Sequence, residues 1–299
     1  MRYDVAVLGS LNLDIVFACE VMPRPGETIL CDTVEKGPGG KGLNQAVASG
    51  RAGAATILLG AVGTDGDGEM LLRVLEEAGV SADRVQRLNS SHTGLAHIIV
   101  DQRGENSIVV ASGANKSAEL GADLFETVEA AVFLAQLEMD IDLVSGFFTR
   151  GRAIGRPCVL NAAPALKKAA SLLSQSDFLI VNEHELALFS GVDLSNSGIE
   201  DYVTAGRSII AGQQSLLLTL GAAGVIWITA ENARHFAAKK VEPVDTTGAG
   251  DCFCGVFAAS MAKGQNVPDA IERAMAAAAV AVTRKGAAHA IPLAVEFGG

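Results

Sequence analysis

The sequence predicts an α/β protein in which helices cover a mostly parallel sheet, and three observations support this prediction. Short apolar runs typical of buried strands alternate with helical patterns. These runs are residues 5–8, 56–62, 132–137, 158–160, 178–181, 216–220 and 225–228. The helical patterns end with ordinary stop signals, as at 69–78 before Gly79 and at 269–285 before Gly286. With 299 residues, 49% of them hydrophobic, the chain can bury a large core.

Two segments, 15–36 and 94–111, predict strands with no helix between them, and 94–111 has a polar turn at 101–106. They indicate a small accessory sheet. Its strands at 95–100 and 107–111 are more apolar than a half-solvated sheet requires, so one face should meet the substrate, the body or another subunit. We expect this sheet to be a lid and a homodimer surface. No linker or repeat divides the chain, so 1–299 is expected to form a single domain.

The charge and the cysteines narrow the class of protein. A formal net charge of −11 argues against nucleic acid and anionic membranes as partners. The first residues lack the apolar run of a signal peptide, and no later run approaches a membrane span. The five cysteines are scattered without metal or dithiol spacing, as reduced thiols in the cytoplasm would be.

The strongest local signal is the segment 245–251, Asp-Thr-Thr-Gly-Ala-Gly-Asp, which precedes a helical pattern at 252–263. Glycines let the backbone approach an anion, and free N–H groups at a helix start stabilise negative charge. Asp251 at the end of this turn is placed to accept a proton from an attacking hydroxyl. The alternative is an ordinary N-capping aspartate after a glycine turn.

A second glycine cluster, residues 37–42, matches G-x-G-x-x-G before a helical pattern at 43–51. It lies outside the first strand-to-helix turn, and no acidic residue follows a second strand, so it does not predict dinucleotide binding. It also lacks the hydroxyl residue and the spacing of a P-loop. The cluster therefore predicts a tight turn that exposes amides and Lys41 to a hydroxyl-bearing ligand.

Polar residues follow other strands at the edge where open α/β sheets bind ligands. Asn12 and Asp14 follow the first strand and form either a clamp for vicinal hydroxyls or a simple turn, and Glu138 ends the strand at 132–137. Asn182 and Glu185 open a helix, either as a capping box or as residues near a hydrated Mg²⁺. The segment 219–224 joins two strands and either contacts phosphate or only makes a hairpin.

Together these segments resemble the ribokinase-like (PfkB) carbohydrate and nucleoside kinase family over nearly the whole chain, in family order. The matching pieces are Gly9-Ser10-Leu11-Asn12-Leu13-Asp14, Gly39-Gly40-Lys41-Gly42-Leu43-Asn44-Gln45-Ala46, Asn161-Ala162-Ala163-Pro164-Ala165, Asn182-Glu183-His184-Glu185, residues 245–251, and Val282-Thr283-Arg284-Lys285-Gly286-Ala287.

The resemblance implies a doubly wound α/β body with a β lid, and ATP, Mg²⁺ and a monovalent cation, K⁺, as co-substrate and cofactors. It implies Asp251 as catalytic base and Gly248, Ala249 and Gly250 as an anion hole. The implied sugar contacts are Asn12, Asp14, Gly39, Gly40, Lys41, Asn44, Ala96, Val110 and Glu138. The implied nucleotide contacts are Asn182, Thr219, Gly221, Gly224, Gly250 and Met275. Asn182 and Glu185 would serve Mg²⁺ through water. The implied monovalent-cation ligands are Asp245, Thr247, Ala281, Arg284 and Gly286.

The sequence departs from the family pattern in three ways. Ala290 stands where a serine commonly faces the cation, Ala222 and Ala223 replace polar residues of the nucleotide loop, and Met275 replaces a polar residue of the adenine pocket. The resemblance implies transfer to the 5-hydroxyl of D-ribose, with fructose, another pentose or a nucleoside as alternative acceptors. A non-catalytic ligand sensor and an NAD-dependent oxidoreductase are the rivals from other classes.

Overall fold

The computed structural model describes residues 3–31, 33–103 and 105–298. The strands are β1 Tyr3–Leu8, β2 Asn12–Ala18, β3 Thr33–Gly39, β4 Thr56–Gly63, β5 Val80–Leu88, β6 Gly94–Val100, β7 Asn106–Ala111, β8 Ala130–Ala135, β9 Cys158–Asn161, β10 Phe178–Asn182, β11 Ser215–Thr219, β12 Val225–Ile228 and β13 Ala233–Phe236. The helices are α1 Lys41–Arg51, α2 Gly66–Glu77, α3 Ala114–Ser117, α4 Ala122–Glu126, α5 Ile141–Ala153, α6 Ala170–Leu173, α7 Glu183–Ser190, α8 Ile199–Ile209, α9 Ala249–Ala262, α10 Val267–Ala281 and α11 Ala294–Phe297.

The main sheet has the strand order β13-β12-β11-β10-β9-β8-β1-β4-β5. Every pair from β11 to β5 is parallel, while β12 and β13 pair antiparallel at one edge. All seven apolar runs are strands of this sheet, which confirms the predicted α/β class. The strand order turns back beside β1, where β4 and β8 flank it, and open α/β sheets bind ligands at such a point.

Helices cover both faces of the sheet because the inner strands are apolar on both sides. Val5 and Val7 of β1 face a core formed with α1, α2, α9 and α10. Ala6 and Leu8 of the same strand face a second core formed with α4, α5, α6, α7 and α8. This doubly wound arrangement places the N-termini of α1, α7 and α9 along one edge of the sheet. In the described residues, no helix is long and apolar enough to cross a membrane.

The accessory sheet is also present, with the order β3-β2-β6-β7. Strand β2 pairs antiparallel with β3 and parallel with β6, and β7 is an edge strand whose six residues are all exposed. Strand β2 begins at Asn12, three residues earlier than the predicted segment, so the sheet starts directly beside the glycine turns. Residues 19–31 between β2 and β3 are not strand.

The predicted helix at 269–285 is too long, because α10 ends at Ala281. A longer helix would need the Gly286 N–H to donate to the carbonyl of Val282. The Gly286 N–H instead donates to the Asp245 carboxylate at 2.9 Å, and the Val282 carbonyl accepts from the Val244 N–H at 2.8 Å. The segment after α10 therefore wraps around residue 245.

Candidate active site

A cleft of about 130 Å³ opens at the carboxyl edge of the main sheet, beside the N-terminus of α9. Its lining residues are Lys41, Asn161, Ala163, Ile180, Asn182, Glu185, Thr219, Gly248, Gly250, Asp251 and Cys254. Seven of the predicted site residues are among them: Lys41, Asn182, Glu185, Thr219, Gly248, Gly250 and Asp251. The thiols of Cys252 and Cys254 on α9 are buried, and burial first raises the pKa of both, that of Cys252 to about 12. These thiols are therefore protonated and unreactive at neutral pH.

Asp251 is the third residue of α9 and is 7% exposed. Its Oδ2 accepts a hydrogen bond from Asn44 Nδ2 at 2.9 Å, and its Oδ1 accepts one from Gln45 Nε2 at 2.9 Å. The N-cap of the helix is Gly248, in a left-handed conformation with φ of 74°. The N-capping alternative for Asp251 is therefore wrong, since its carboxylate is held by α1 and not by its own helix.

The turn before Asp251 presents amides at the start of a 14-residue helix. The first backbone N–H bonded within α9 is that of Cys252, to Gly248 O at 2.8 Å, so the amides before it have no acceptor inside the helix. The Ala249 N–H contacts Thr246 O at 3.3 Å. A side chain at Gly250 would meet no atom within 4 Å, so an anion has room to approach there.

Asn12 and Asp14 lie within β2, so the simple-turn alternative for them is wrong. A Cβ on Gly39 would lie 2.1 Å from the Asp14 Oδ2, which explains a glycine beside this carboxylate. Burial first, and then the charges of Glu138 and Asp251, raise the pKa of Asp14 to about 7, against the opposing effect of Lys41.

The glycine turn before α1 brings Lys41 and Glu138 together. Gly40 has φ of 88°, and a Cβ there would lie 2.8 Å from the backbone of residues 10 and 12, so only glycine fits. The Lys41 N–H donates to Glu138 Oε2 at 3.0 Å, and the Ser10 hydroxyl donates to the same oxygen. The charge of Asp251 is the main cause of a raised pKa for the Lys41 ammonium, with Glu138 and Glu185 adding to it against burial.

Two lid residues lie in register with Asp14. Ala96 on β6 pairs with Asp14, and Val110 on β7 pairs with Ala96, so all three side chains share one face of the small sheet. Ala96 is buried and Val110 is half exposed.

Asn182 and Glu185 form the predicted capping box of α7 and also line the cleft. The Asn182 N–H donates to Glu185 Oε2 at 2.8 Å, and the Glu185 N–H donates to Asn182 Oδ1 at 2.9 Å. Burial raises the pKa of the Glu185 carboxyl, while the Asn182 N–H and the Lys41 charge lower it by less.

The residues predicted to contact the nucleotide are spread along a hairpin. Thr219 ends β11 at the cleft, and its hydroxyl donates to Val181 O at 3.3 Å. Gly221 and Gly224 lie in the turn to β12, which pairs antiparallel with β11, so the predicted hairpin is confirmed. Met275 is partly buried on α10, packs against the core and does not line the cleft.

The residues assigned to a monovalent cation surround Asp245. Its Oδ1 accepts from the Thr247 N–H and its Oδ2 from the Gly286 N–H, both at 2.9 Å. Burial opposes ionisation here, but these hydrogen bonds and the Lys285 charge lower the pKa of the carboxyl. The Ala281 carbonyl accepts from the Arg284 N–H at 3.0 Å, and Ala290 is buried without a hydroxyl.

Four buried amide side chains at the site have no role in the sequence prediction. Asn115 Nδ2 donates to Asn12 Oδ1 at 2.8 Å, and no local pattern marks this residue of α3. Gln45, Gln136 and Asn161 form a connected group beneath Asp251. Gln45 and Asn161 stand inside the motifs that carry the family resemblance, which was the available signal.

The raised pKa of Asp14 makes a prediction about stability. The unfolded carboxyl releases its proton near pH 3.8 and the folded one near 7, so the folded state binds more protons between these values and stability falls as pH rises through them. In Asp14→Asn this group does not titrate. We expect the variant's unfolding free energy, relative to wild type, to increase from about pH 4 to about pH 7 and then stay level.

Urea unfolding at a series of pH values measures this difference. Asp193→Asn is the control, because hydrogen bonds from Ser195 lower the pKa of Asp193 and its effect should be constant above about pH 5. A flat difference for Asp14→Asn across the same range would contradict the raised pKa.

Comparison with known proteins identifies the family of the chain. A model of the pfkB family carbohydrate kinases matches residues 2–294. The chain is 34% identical to ribokinase of Schizosaccharomyces pombe over an alignment of 310 residues, covering 99% of this chain and 97% of that protein. It is 32% identical to deoxyribokinase of Salmonella typhi, covering 98% of this chain and 97% of that protein.

The solved structure of Arabidopsis thaliana ribokinase complexed with ribose and ATP superimposes with a TM-score of 0.89 at 29% identity, covering 99% of this chain and 98% of that one. The chain belongs to the pfkB family of carbohydrate kinases and is a phosphotransferase that acts on a sugar hydroxyl.

Proposed function

We propose that the chain is a cytoplasmic ribokinase that transfers the γ-phosphate of ATP to the 5-hydroxyl of D-ribose. The observation that carries this proposal is Asp251, a buried carboxylate that lines the cleft at the start of α9 and is held by two amide donors. The likeness to fungal and plant ribokinases, the latter with ribose and ATP, supports the choice of acceptor and donor.

The sugar would lie between the face of the lid that carries Asp14 and the turn that opens α1. One buried acceptor there, Asn44 Oδ1, has no hydrogen-bond partner within the described structure, and a sugar hydroxyl would satisfy it. Asn12, Asp14 and Glu138 supply further oxygens, and the Gly40 amide and the Lys41 ammonium supply donors. Ala96 and Val110 would cover the apolar face of the ring.

Catalysis would then depend on positioning and charge. Asp251 accepts the proton of the 5-hydroxyl as the oxygen bonds to the γ-phosphorus and the bond to ADP breaks. The amides of Gly248, Ala249 and Gly250 stabilise charge on the transferred group, each worth about 2.7–4 kcal/mol if it acts as an oxyanion-hole donor does.

The residues near the cleft fit the groups that such a reaction uses. Asn182 and Glu185 offer one carboxylate and one amide to a hydrated Mg²⁺, which binds few protein ligands and neutralises phosphate charge when bound. Thr219, Gly221, Gly224 and Met275 would border the nucleotide. The Asp245 carboxylate and the carbonyls of Thr247, Ala281, Arg284 and Gly286 would hold K⁺, with one oxygen fewer because Ala290 has no hydroxyl.

The acceptor can be tested with coupled ADP release from Mg²⁺-ATP. We expect selective turnover of D-ribose over deoxyribose, fructose, adenosine and inosine, measured with and without K⁺. Deoxyribose is the second candidate, since the similarity to a deoxyribokinase is nearly as high. Faster turnover of another acceptor would support kinase activity but reject ribose as the substrate. Nucleotide binding without turnover of any acceptor would indicate a sensor.

Asp251→Asn should lower kcat by about 100- to 10,000-fold, since a positioned base contributes that much. Binding of ADP, measured by calorimetry, should change little because the anion-hole amides remain. The control is Asp193→Asn, an exposed aspartate outside the cleft. Substantial turnover by Asp251→Asn would remove this residue from the role of base.

We also propose a homodimer formed through the lid. Strand β7 is an exposed edge, and Val109 on the face opposite to Asp14 is 68% exposed. Val109→Asp should convert a dimer into a 30.7 kDa monomer in sedimentation velocity, while Val295→Asp, at an 85% exposed position outside the lid, should not. A wild-type protein that sediments as a monomer would reject the dimer.

A further inference from the structure

Buried amide side chains form a hydrogen-bonded series beneath Asp251. Gln136 Nε2 donates to Gln45 Oε1 at 2.7 Å, and Gln45 Nε2 donates to Asp251 Oδ1 at 2.9 Å and to Asn161 Oδ1 at 3.0 Å. Gln45 and Gln136 are completely buried, with exposed fractions of 0%. They belong to α1 and to the segment after β8, so Gln45 links a second, separate part of the chain to the Asp251 carboxylate on α9.

Asp251 fixes the direction of donation along this hydrogen-bonded series. An ionised carboxylate only accepts hydrogen bonds, so Gln45 must turn its NH₂ group towards it. The carbonyl oxygen of Gln45 then faces Gln136, which must in turn present its own NH₂ group. The last oxygen, Gln136 Oε1, is left buried with no hydrogen-bond partner in the described structure.

The arrangement carries a free-energy cost, because an unpartnered buried acceptor is unfavourable. Turning both amides around would point Gln136 Nε2 to the former place of its Oε1, and would direct Gln45 Oε1 at the Asp251 carboxylate. The observed direction therefore keeps a donor on Asp251 and leaves Gln136 Oε1 as the unpartnered atom. The residue next to that oxygen is Gly9, where a Cβ would lie 2.2 Å from Gln136 Oε1.

We propose that Gln45 and Gln136 are positioning residues for phosphoryl transfer, with Gln45 holding the Asp251 carboxylate in its reactive orientation and Gln136 fixing the direction of the Gln45 amide. The inference rests on the proposed role of Asp251 as proton acceptor. Neither glutamine lines the cleft, so both act through Asp251 and not by contact with the sugar.

Two substitutions at position 45 separate donation from simple space filling. Gln45→Leu removes the donor, and Gln45→Glu keeps the size but places an acceptor against the carboxylate. We expect kcat to fall about 100-fold in Gln45→Leu, the scale of a 1 Å misplacement, and at least as far in Gln45→Glu, with KM for D-ribose within about threefold of wild type. A milder effect in Gln45→Glu than in Gln45→Leu, or a loss confined to KM, would overturn the proposal.

Substitutions at position 136 test the hydrogen-bonded series from Gln136 through Gln45 to Asp251, which we call the relay. They leave the residues that contact Asp251 unchanged. Gln136→Leu removes the unpartnered acceptor Gln136 Oε1 and leaves Gln45 Oε1 as the unpartnered acceptor instead. We therefore expect an unchanged urea midpoint but a kcat about 10-fold lower, since the Gln45 amide is free to turn. Gln136→Glu should be worse, about 100-fold, because its carboxylate attracts the Gln45 N–H groups away from Asp251. Wild-type kcat in both variants would overturn the role of Gln136.

Gln214→Leu is the matched control for burying a leucine in place of an amide. Gln214 is 6% exposed, and its Nε2 donates to Ser176 O and Oγ at 2.9 Å, at the opposite end of β11 from the cleft. This variant should lose stability and keep kcat per folded molecule. Variants at 45 and 136 that lose stability and activity in parallel, with kcat per folded molecule unchanged as in this control, would show a structural role only.

The assay also separates this inference from the proposed function. Asp251→Asn that retains turnover would reject Asp251 as base, and the relay would fall with it. Asp251→Asn without turnover, beside Gln45 variants with wild-type kcat, would reject the relay alone. All variants are compared on D-ribose and Mg²⁺-ATP after circular dichroism has confirmed folding.

Discussion

The hydrogen bonds from α1 to the Asp251 carboxylate join the two glycine turns of the site into one unit. Helices α1 and α9 approach closely because Gly255 has no side chain. A Cβ at this position would lie 2.3 Å from Gln45 O and 2.6 Å from Ala48 Cβ. The start of α1 is set in turn by Gly42, whose absent Cβ would lie 2.5 Å from Gly9 Cα. The glycines thus act in the packing of backbone on backbone, and the position of the carboxylate follows from that packing.

The small sheet is attached to this unit at one end. Strand β3 runs through Gly39 directly into the turn before α1, so the lid and the Lys41 amide share one stretch of backbone. Further out, Lys285 Nζ pairs with Glu35 Oε1 at 2.5 Å, but both side chains are more than half exposed, and such pairs contribute about 0–1 kcal/mol. Strong attachment near the site and weak attachment away from it support the proposed lid role.

The sequence predicted those elements whose signal is local. The buried parallel strands are apolar runs, and the turns at 37–42 and 245–251 are marked by glycines. Strand β5 was missed because its sequence, VSADRVQRL, mixes polar residues into an edge strand that is only partly buried. The end of α10 was placed wrongly because the competing acceptor, Asp245, lies 41 residues from Gly286.

The role of Asp251 also depends on residues that are distant in the sequence. Its helix and its glycine turn follow from residues 245–263, but the choice between a capping aspartate and a free carboxylate depends on donors more than 200 residues away. The amides of Gln45 and Gln136 belong to a predicted helix and to the end of a predicted strand. Gln45 stands in a motif of the family resemblance, but nothing local connects either amide to Asp251. Only their contacts in the folded chain connect them to the chemistry.

The charged side chains at the cleft are the Lys41 ammonium and the several carboxylates that surround it. Lys41 faces the carboxylates of Asp251, Glu138 and Glu185, which together raise the pKa of its ammonium, so its single positive charge is already compensated before any phosphate arrives. Asp14 adds a further carboxyl, whose pKa rises to about 7 first because it is buried and then because Glu138 and Asp251 are near. In the proposed reaction, a triphosphate entering this cleft would therefore depend on the amides at the start of α9 and on a divalent cation, since the Lys41 ammonium is already engaged. The carboxylates that would repel the phosphates are the groups that suit sugar hydroxyls. In the proposed reaction the same charges would bind the sugar and keep the phosphates on the side of the helix N-terminus.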